Sequence, residues 1–315
     1  MDKKFTFNLE GRQLLNLYIL FFIFYFLPLA GYGFLLSQFQ EEEANPLIFV
    51  LAIGLFLFAI LSALVLTTPL MKKVIESIAL NEENLAYEGT IDKFMGINIG
   101  GALLSMITFG IYGAWYYKNL YGYVIGKTGF KKSYFKFHGT GLKLFGIIIL
   151  SLFIPMILFM IIRYPHLSKT EPFFQKYIWQ AVFYIIIVPY FYLACQWFID
   201  ISYNNYYLKW NAKFINSCGV ILREMLLTII TFGIYYPAAI AQLYDYFLPQ
   251  CYFEKEGVKK YRINVELNVK ELFLKTWGVF LLSVITLGFY APWGYCKIVK
   301  IYVENTTLDV VDWDF

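Results

Sequence analysis

Charge is scarce in this 315-residue chain: 15% of its residues are Asp, Glu, Lys or Arg, where a soluble domain carries roughly a quarter. Histidine is scarcer. His138 and His166 lie far apart, which leaves no readable metal site or catalytic dyad. Cys195, Cys218, Cys251 and Cys296 are widely spaced and imply neither a disulfide framework nor a zinc site. No Gly-rich phosphate loop, serine elbow or carboxylate pair at useful spacing appears. The chain therefore reads as non-enzymatic and free of cofactors. Its net charge of +4 is spread over several loops, with no domain-sized basic patch for nucleic acid.

Apolar surface is what the chain has instead. It is 59% apolar and 21% aromatic, more than a soluble core absorbs. Leu14–Leu36, Leu47–Met71, Leu144–Ile162 and Tyr177–Ile199 contain no charged residue. A helix needs about 20 such residues to cross the hydrocarbon. The first stretch is too long for the apolar core of a signal peptide and no Ala-x-Ala site follows, so it reads as a retained span. Membrane lipids are the expected surroundings.

A ten-residue motif, Leu-Leu-[Ser/Thr]-x-Ile-Thr-[Phe/Leu]-Gly-[Ile/Phe]-Tyr, marks an internal repeat. It occurs at Leu103–Tyr112, Leu226–Tyr235 and Leu281–Tyr290. Tyr87-Glu88-Gly89-Thr90 precedes the first copy, and Phe137-His138-Gly139-Thr140 has the same form. Alternating aromatic and polar residues ahead of Gly suggest a short strand, with Thr as a helix cap. The unit is strand, helix, break, helix, strand. Five units divide a single integral membrane domain, 1–315: two long, 5–84 and 134–211, and three short, 85–133, 212–250 and 261–315. Pro28 and Pro155 fall at matching places in the long units and are expected to kink their first arms. The fold class expected is all-α: a polytopic bundle of repeated helical hairpins with short cytoplasmic β-strand segments at the junctions.

Lys and Arg bias sets the topology. Seven single crossings would place the basic segments 72–93 and 126–140 on opposite sides. If each short unit dips in and returns, all junctions share one side, and loop 37–46, with Glu41, Glu42 and Glu43, faces the other. Loop 163–176 also faces that side, although it holds Arg163, Lys169 and Lys176. The charge bias favours the second arrangement, with the N-terminus cytoplasmic.

The Gly-Thr element, the motif and the Lys/Tyr arm after it resemble the YjgN-like family of bacterial inner-membrane proteins. Leu281–Trp293 carries the likeness most fully, ending Tyr290-Ala291-Pro292-Trp293. The first copy keeps Trp115 with Ala114 for the proline; the second keeps Pro237 with Ala238 for the tryptophan. The resemblance covers most of the chain from about residue 85 onward. It implies an inner-membrane location and a fold, and no activity.

Candidate functional or structural residues are Thr108, Gly110, Tyr112 and Trp115; Thr231, Gly233, Tyr235 and Pro237; and Thr286, Gly288, Tyr290, Pro292 and Trp293. Gly permits a tight break and the aromatics anchor at an interface. Alternatively, broken helix ends line a solute site. Gly96, Gly100 and Gly101 suggest a close-packing face, within the chain or between subunits of a homo-oligomer. Among charged residues, Arg223 and Glu224 are the first candidates for function, ahead of Glu271, Lys275, Asp200 and Asp245. All are expected near helix ends, where snorkelling suffices. Three functions compete. One is a transporter or channel for a small or lipid-like solute, its path enclosed by the spans kinked at Pro28, Pro155 and Pro189. Another is a non-catalytic membrane subunit or scaffold, docking partner proteins through its strands or through Asp309, Asp312 and Asp314. An intramembrane enzyme comes last.

Overall fold

The computed structural model describes residues 3–38, 46–164 and 173–310. The first long unit runs β1 (Lys3–Phe7), α1 (Gly11–Phe21), a π-helical turn (Phe22–Phe26), α2 (Leu27–Gln38), α3 (Pro46–Glu76) and β2 (Ile78–Leu80). The first short unit follows: β3 (Glu83–Tyr87), α4 (Ile91–Ile107), α5 (Gly113–Gly126) and β4 (Thr128–Phe130). The second long unit is β5 (Ser133–Tyr134), β6 (Lys136–Phe137), α6 (Gly141–Ile148), a π-turn (Ile149–Phe153), α7 (Ile154–Arg163), α8 (Phe173–Phe198) and β7 (Ile201–Tyr203). Two short units finish the chain. One is β8 (Tyr206–Trp210), α9 (Phe214–Ile230), α10 (Tyr236–Phe247) and β9 (Cys251–Lys255); the other is β10 (Val258–Val265), α11 (Val269–Ile285), α12 (Ala291–Glu304) and β11 (Thr306–Val310).

Among the described residues, four helices are long and apolar enough to cross a membrane: Gly11–Gln38, Pro46–Glu76, Gly141–Arg163 and Ile178–Phe198. In the first and third, a π-turn ends two residues before Pro28 or Pro155. Widening the helix there absorbs the hydrogen bond that proline cannot make. Each short unit leaves the sheet and returns to it: Tyr87 pairs with Thr128 across the first, and Glu88 N–H bonds Lys127 O at 2.9 Å.

The all-α expectation is wrong. The strands are not isolated junction segments. They form one antiparallel sheet of 11 strands in the order β5-β4-β3-β2-β1-β11-β10-β9-β8-β7-β6. Its two edge strands, β5 and β6, are separated in sequence only by Phe135, so the sheet nearly closes into a barrel. The reason is the unpaired strand edge. A junction strand pairs with its hairpin partner on one side and presents free N–H and C=O groups on the other. Strands meeting edge to edge satisfy those groups, and a ring leaves almost no edge. The pairing joins the chain's two ends, Lys3 with Leu308. Two-residue turns with positive φ at Asn81-Glu82, Asn204-Asn205 and Glu256-Gly257 suit the hairpin twist.

One sheet face is concave. Tyr206 reaches Tyr261 across β9 with ring centroids 5.8 Å apart, and the Lys3 ammonium lies 4.5 Å from the Tyr261 ring centre across β11. Across the closure, Tyr203 Oη donates to Phe130 O at 2.7 Å.

The helices form a second ring above the strands. The arm α1–α2 contacts α3; contacts then pass through α4, α5, the arm α6–α7, α8, α9, α10, α11 and α12 and back to α1. Every substantial contact between arms runs to a ring neighbour. Buried clusters sit where helices join strands: Phe7, Leu9, Leu14 and Cys296; Val188, Tyr192, Ile221 and Phe247; Ala114, Leu144 and Trp197. Away from the sheet, large apolar side chains are exposed along most arms.

Candidate functional site

The three motif copies build one turn. Thr108 Oγ1 donates to Leu104 O at 2.7 Å and accepts from Tyr112 N–H at 3.0 Å, clamping both arms. Thr231 and Thr286 repeat this with Leu227 and Tyr235, and with Leu282 and Tyr290. Gly110, Gly233 and Gly288 have φ of 87°, 85° and 91°. Their N–H groups bond the carbonyls of Ser105, Thr228 and Ser283, closing the first arm. The residues just before them, Phe109, Phe232 and Leu287, also have positive φ, which costs a side-chain-bearing residue about 1–2 kcal/mol. They are 97%, 95% and 85% exposed. Conformation does not select an apolar residue there. Pro237 and Pro292 occupy the first turn of the second arm, where their missing N–H costs nothing.

The sequence departures have a packing reason. Trp115 lies over Gly141, the first residue of α6, and is 5.5 Å from Phe145 and 6.4 Å from Tyr112, ring to ring. Trp293 lies over Gly11, the first residue of α1. Both tryptophans join a short unit to a long unit that starts on Gly. The second short unit is followed by another short unit whose first helix, α11, starts on Val269 and not on Gly, and Ala238 replaces the tryptophan. There Trp277 of the next unit reaches back, donating to Ile234 O at 3.0 Å.

Size is also complementary between arms. Two residues before each motif the chain has Gly101, Glu224 and Val279; four residues after it, Tyr116, Ala239 and Gly294. Tyr116 covers Gly101, and Val279 covers Gly294. In the second hairpin Glu224 faces the small Ala239 across one pocket. Glu224 is 1% exposed and lies well inside α9, so the helix-end expectation fails for it. Its Oε1 accepts from Arg223 Nε at 2.7 Å, while Arg223 itself reaches solvent.

The first hairpin holds a cavity of about 550 Å³ between α4 and α5. Gly96 and Gly100 line it, with no heavy atom within 4 Å of a Cβ built on either. Of the three glycines only Gly101 is a packing contact. Lys93, Lys118, Asn119 and Tyr116 supply polar groups. Tyr116 Oη donates to Asn98 Oδ1 at 2.7 Å, and Asn119 Nδ2 donates to Tyr112 Oη at 3.4 Å. The equivalent contact in the last hairpin is Lys297 Nζ to Tyr290 Oη at 2.6 Å.

Other sequence candidates are dispersed. Lys275 pairs with Glu271 on an exposed turn of α11, Asp200 gives its carbonyl to His138 N–H, and Asp245 is half-buried on α10. His138 Nε2 lies 2.7 Å from Ser202 Oγ, a pairing across β-strands that sequence distance hides. Ser202 is buried, so this pair ties strands together. Thr140 caps α6 through Lys143 N–H at 3.2 Å; Thr90 makes no such bond, and Tyr123 Oη holds its backbone instead. Among the described residues no group of three or more His, Cys, Asp or Glu could hold a metal ion. His166, Glu41, Glu42, Glu43, Asp312 and Asp314 lie outside the described residues.

No curated protein and no solved structure matches this chain. Residues 82–212, from the β2–β3 turn to just past β8, match the profile of a family described as bacterial protein of unknown function, DUF898. That region holds the α4–α5 cavity, the Trp115–Gly141 seat and the strands where the barrel closes, and in it this chain is similar to that bacterial family.

Proposed function

We propose that the protein is a multi-pass conduit in the bacterial inner membrane for a small or lipid-like solute, with a cytoplasmic strand ring and N-terminus and no enzymatic step. The carrying observation is the paired rings. Ten helical arms contact their ring neighbours above a nearly closed sheet, so they surround an axis instead of filling a bundle core. The exposed apolar hairpin tips support immersion in lipid. The likeness to YjgN-like proteins and the match to a bacterial family support the compartment. Lys93 and Lys118 in the α4–α5 cavity favour an anionic solute. Docking partners through the strand layer is the weaker reading, because a nearly closed sheet offers almost no free edge to a partner strand.

The test is flux. Purified protein in liposomes should release a small organic anion such as benzoate faster than choline, and Lys118→Glu should reduce that preference. Release matching protein-free liposomes, with the protein folded by circular dichroism, overturns the reading.

A further inference from the structure

The first hairpin carries two cations that its sister hairpins lack. Aligned on the motif, Lys93 and Lys118 become Asn216 and Ala241 in the second short unit, and Glu271 and Cys296 in the last. All three units fold the same turn, so the turn does not need the lysines. Both line the α4–α5 cavity, whose volume of about 550 Å³ lies within the range of roughly 300–1,000 Å³ typical of small-molecule sites. Lys93 is exposed and Lys118 half-buried, and among the described residues neither forms a salt bridge. The described lining holds no Asp or Glu; Asp92, next to Lys93 in sequence, is not part of it. Tyr112 Oη accepts from Asn119 Nδ2, and its own O–H has no partner among the described residues. The wall therefore offers donors and positive charge, which suit an anion with several oxygens; lysine binds phosphate as a point charge.

The cavity also has an apolar side. Lys93, Gly96, Gly100 and Leu104 follow one another at helical spacing on α4. Lys93 is at the sheet end; toward the motif turn the same helix exposes Leu103, Leu104 and Ile107. Between them, nothing lies within 4 Å of a Cβ built on Gly96 or Gly100, so a ligand can approach the bare backbone. We infer that the α4–α5 cavity binds a phosphate ester, its oxygens held by Lys93, Lys118 and the Tyr112 hydroxyl. The apolar surface beyond Gly100 points to a lipid phosphate, its chains running toward the turn. This deepens the conduit reading at its own cavity and rests on it for an anionic ligand, but binding is read without flux, so each can fail alone.

Competition separates the sources. Detergent-solubilised full-length protein is titrated with tritiated dihexanoylphosphatidylglycerol. The competitors are dihexanoylglycerol, which has the chains without the phosphate, and glycerol phosphate, which has the phosphate without the chains. Saturable binding is expected, with dihexanoylglycerol weaker by about tenfold or more, the loss of hydrogen bonds between charged groups. Glycerol phosphate should also be weaker than the lipid; competition as strong as the lipid's would support a soluble phosphate ester at the same site. Lys118→Ala should weaken binding by about tenfold, whereas Lys300→Gln, on α12 away from the cavity, should leave it unchanged. Gly96→Leu should abolish binding by filling the cavity, and the last hairpin already folds with Leu274 at that position. The wild-type competition stands even if a variant misfolds. No saturable binding, equal competition by dihexanoylglycerol in the wild-type protein, or equal losses in Lys118→Ala and Lys300→Gln overturns the proposal.

Discussion

Trp293 of the last unit closes on Gly11 of the first: a Cβ placed on Gly11 would lie 2.5 Å from the indole Cγ and 2.6 Å from the Trp293 Cα. The contact joins opposite ends of the chain, next to the strand pairing of Lys3 with Leu308. Gly11→Ala should therefore destabilise by about 1–3 kcal/mol, because the clash involves backbone as well as side chain. In Gly11→Ala/Trp293→Ala the combined loss should fall below the sum of the single losses, since each removes the other's contact. Thermal unfolding in detergent measures both; an unchanged Tm for Gly11→Ala would show that the seat is loose.

The motif turn gives an opposed pair of expectations. Gly110→Ala should cost about 1–2 kcal/mol because φ there is 87°. Phe109→Gly should stabilise the detergent-solubilised protein by about 1 kcal/mol, since Phe109 has φ of 50° and is almost fully exposed. Thr108→Val should cost about 1 kcal/mol by removing the Oγ1 clamp. Equal melting of all three variants with the wild type would remove the turn's role in stability.

What was legible in the sequence follows from the range of each signal. Apolar stretches as long as Leu47–Met71 state their length directly, and the structure has four such helices near the places expected. The Gly break is local too, since positive φ depends on the residue itself. The barrel was hidden because its strands are only two to eight residues long and their partners are remote, as in Lys3 with Leu308. The turn dipeptides Asn81-Glu82 and Asn204-Asn205 were the available hint of hairpins. At the site, small-residue spacing at Gly96 and Gly100 cannot say whether a neighbour occupies the opposite face. Glu224 looked peripheral beside Arg223, because burial against α8 and α10 is a tertiary fact.

Tyr87 provides a pH test. Its hydroxyl is buried without a hydrogen-bond partner, and burial, with Tyr123 nearby, pushes its pKa up to about 12 from 10.0. The unfolded chain ionises first, so this stability is fully present below pH 10.0 and lost as pH rises toward about 12. Tyr87→Phe should be neutral or stabilising by about 1 kcal/mol at pH 7 and should raise the alkaline unfolding midpoint. A lower alkaline midpoint in the variant would contradict the assignment.

The cysteines should differ in reactivity. Cys251, on β9, is buried and its thiol is pushed up to about 12 by that burial. The thiolate is the reactive form, so Cys251 should resist alkylation at pH 8 in the folded protein and react after denaturation. Mass spectrometry of peptides from maleimide-treated protein reads this directly. Labelling of Cys251 under native conditions, at the rate of a small free thiol, would mean that the β9 end of the barrel opens.

The topology expectation depends on the sheet. Lys93 lies in the first turn of α4 and Lys131 sits in the β4–β5 turn, where it pairs with Glu83 at 3.1 Å. The two strands bracketing this hairpin are hydrogen-bonded neighbours, so a membrane cannot pass between its ends. In a background without the four native cysteines, Lys93→Cys and Lys131→Cys should both resist an impermeant thiol reagent added to intact cells. Both should react in inside-out vesicles. Loss of the exposed Lys131–Glu83 pair should cost under about 1 kcal/mol and leave the fold to report faithfully. Glu42→Cys should show the opposite pattern, because it falls in sequence between two membrane-length helices, Gly11–Gln38 and Pro46–Glu76, whose other ends lead to β1 and β2 of the sheet. Reaction of Lys131→Cys alone in intact cells would require the hairpin to cross the membrane once, which the pairing of β3 with β4 forbids; the sheet would then be wrong, and the cytoplasmic strand ring with it.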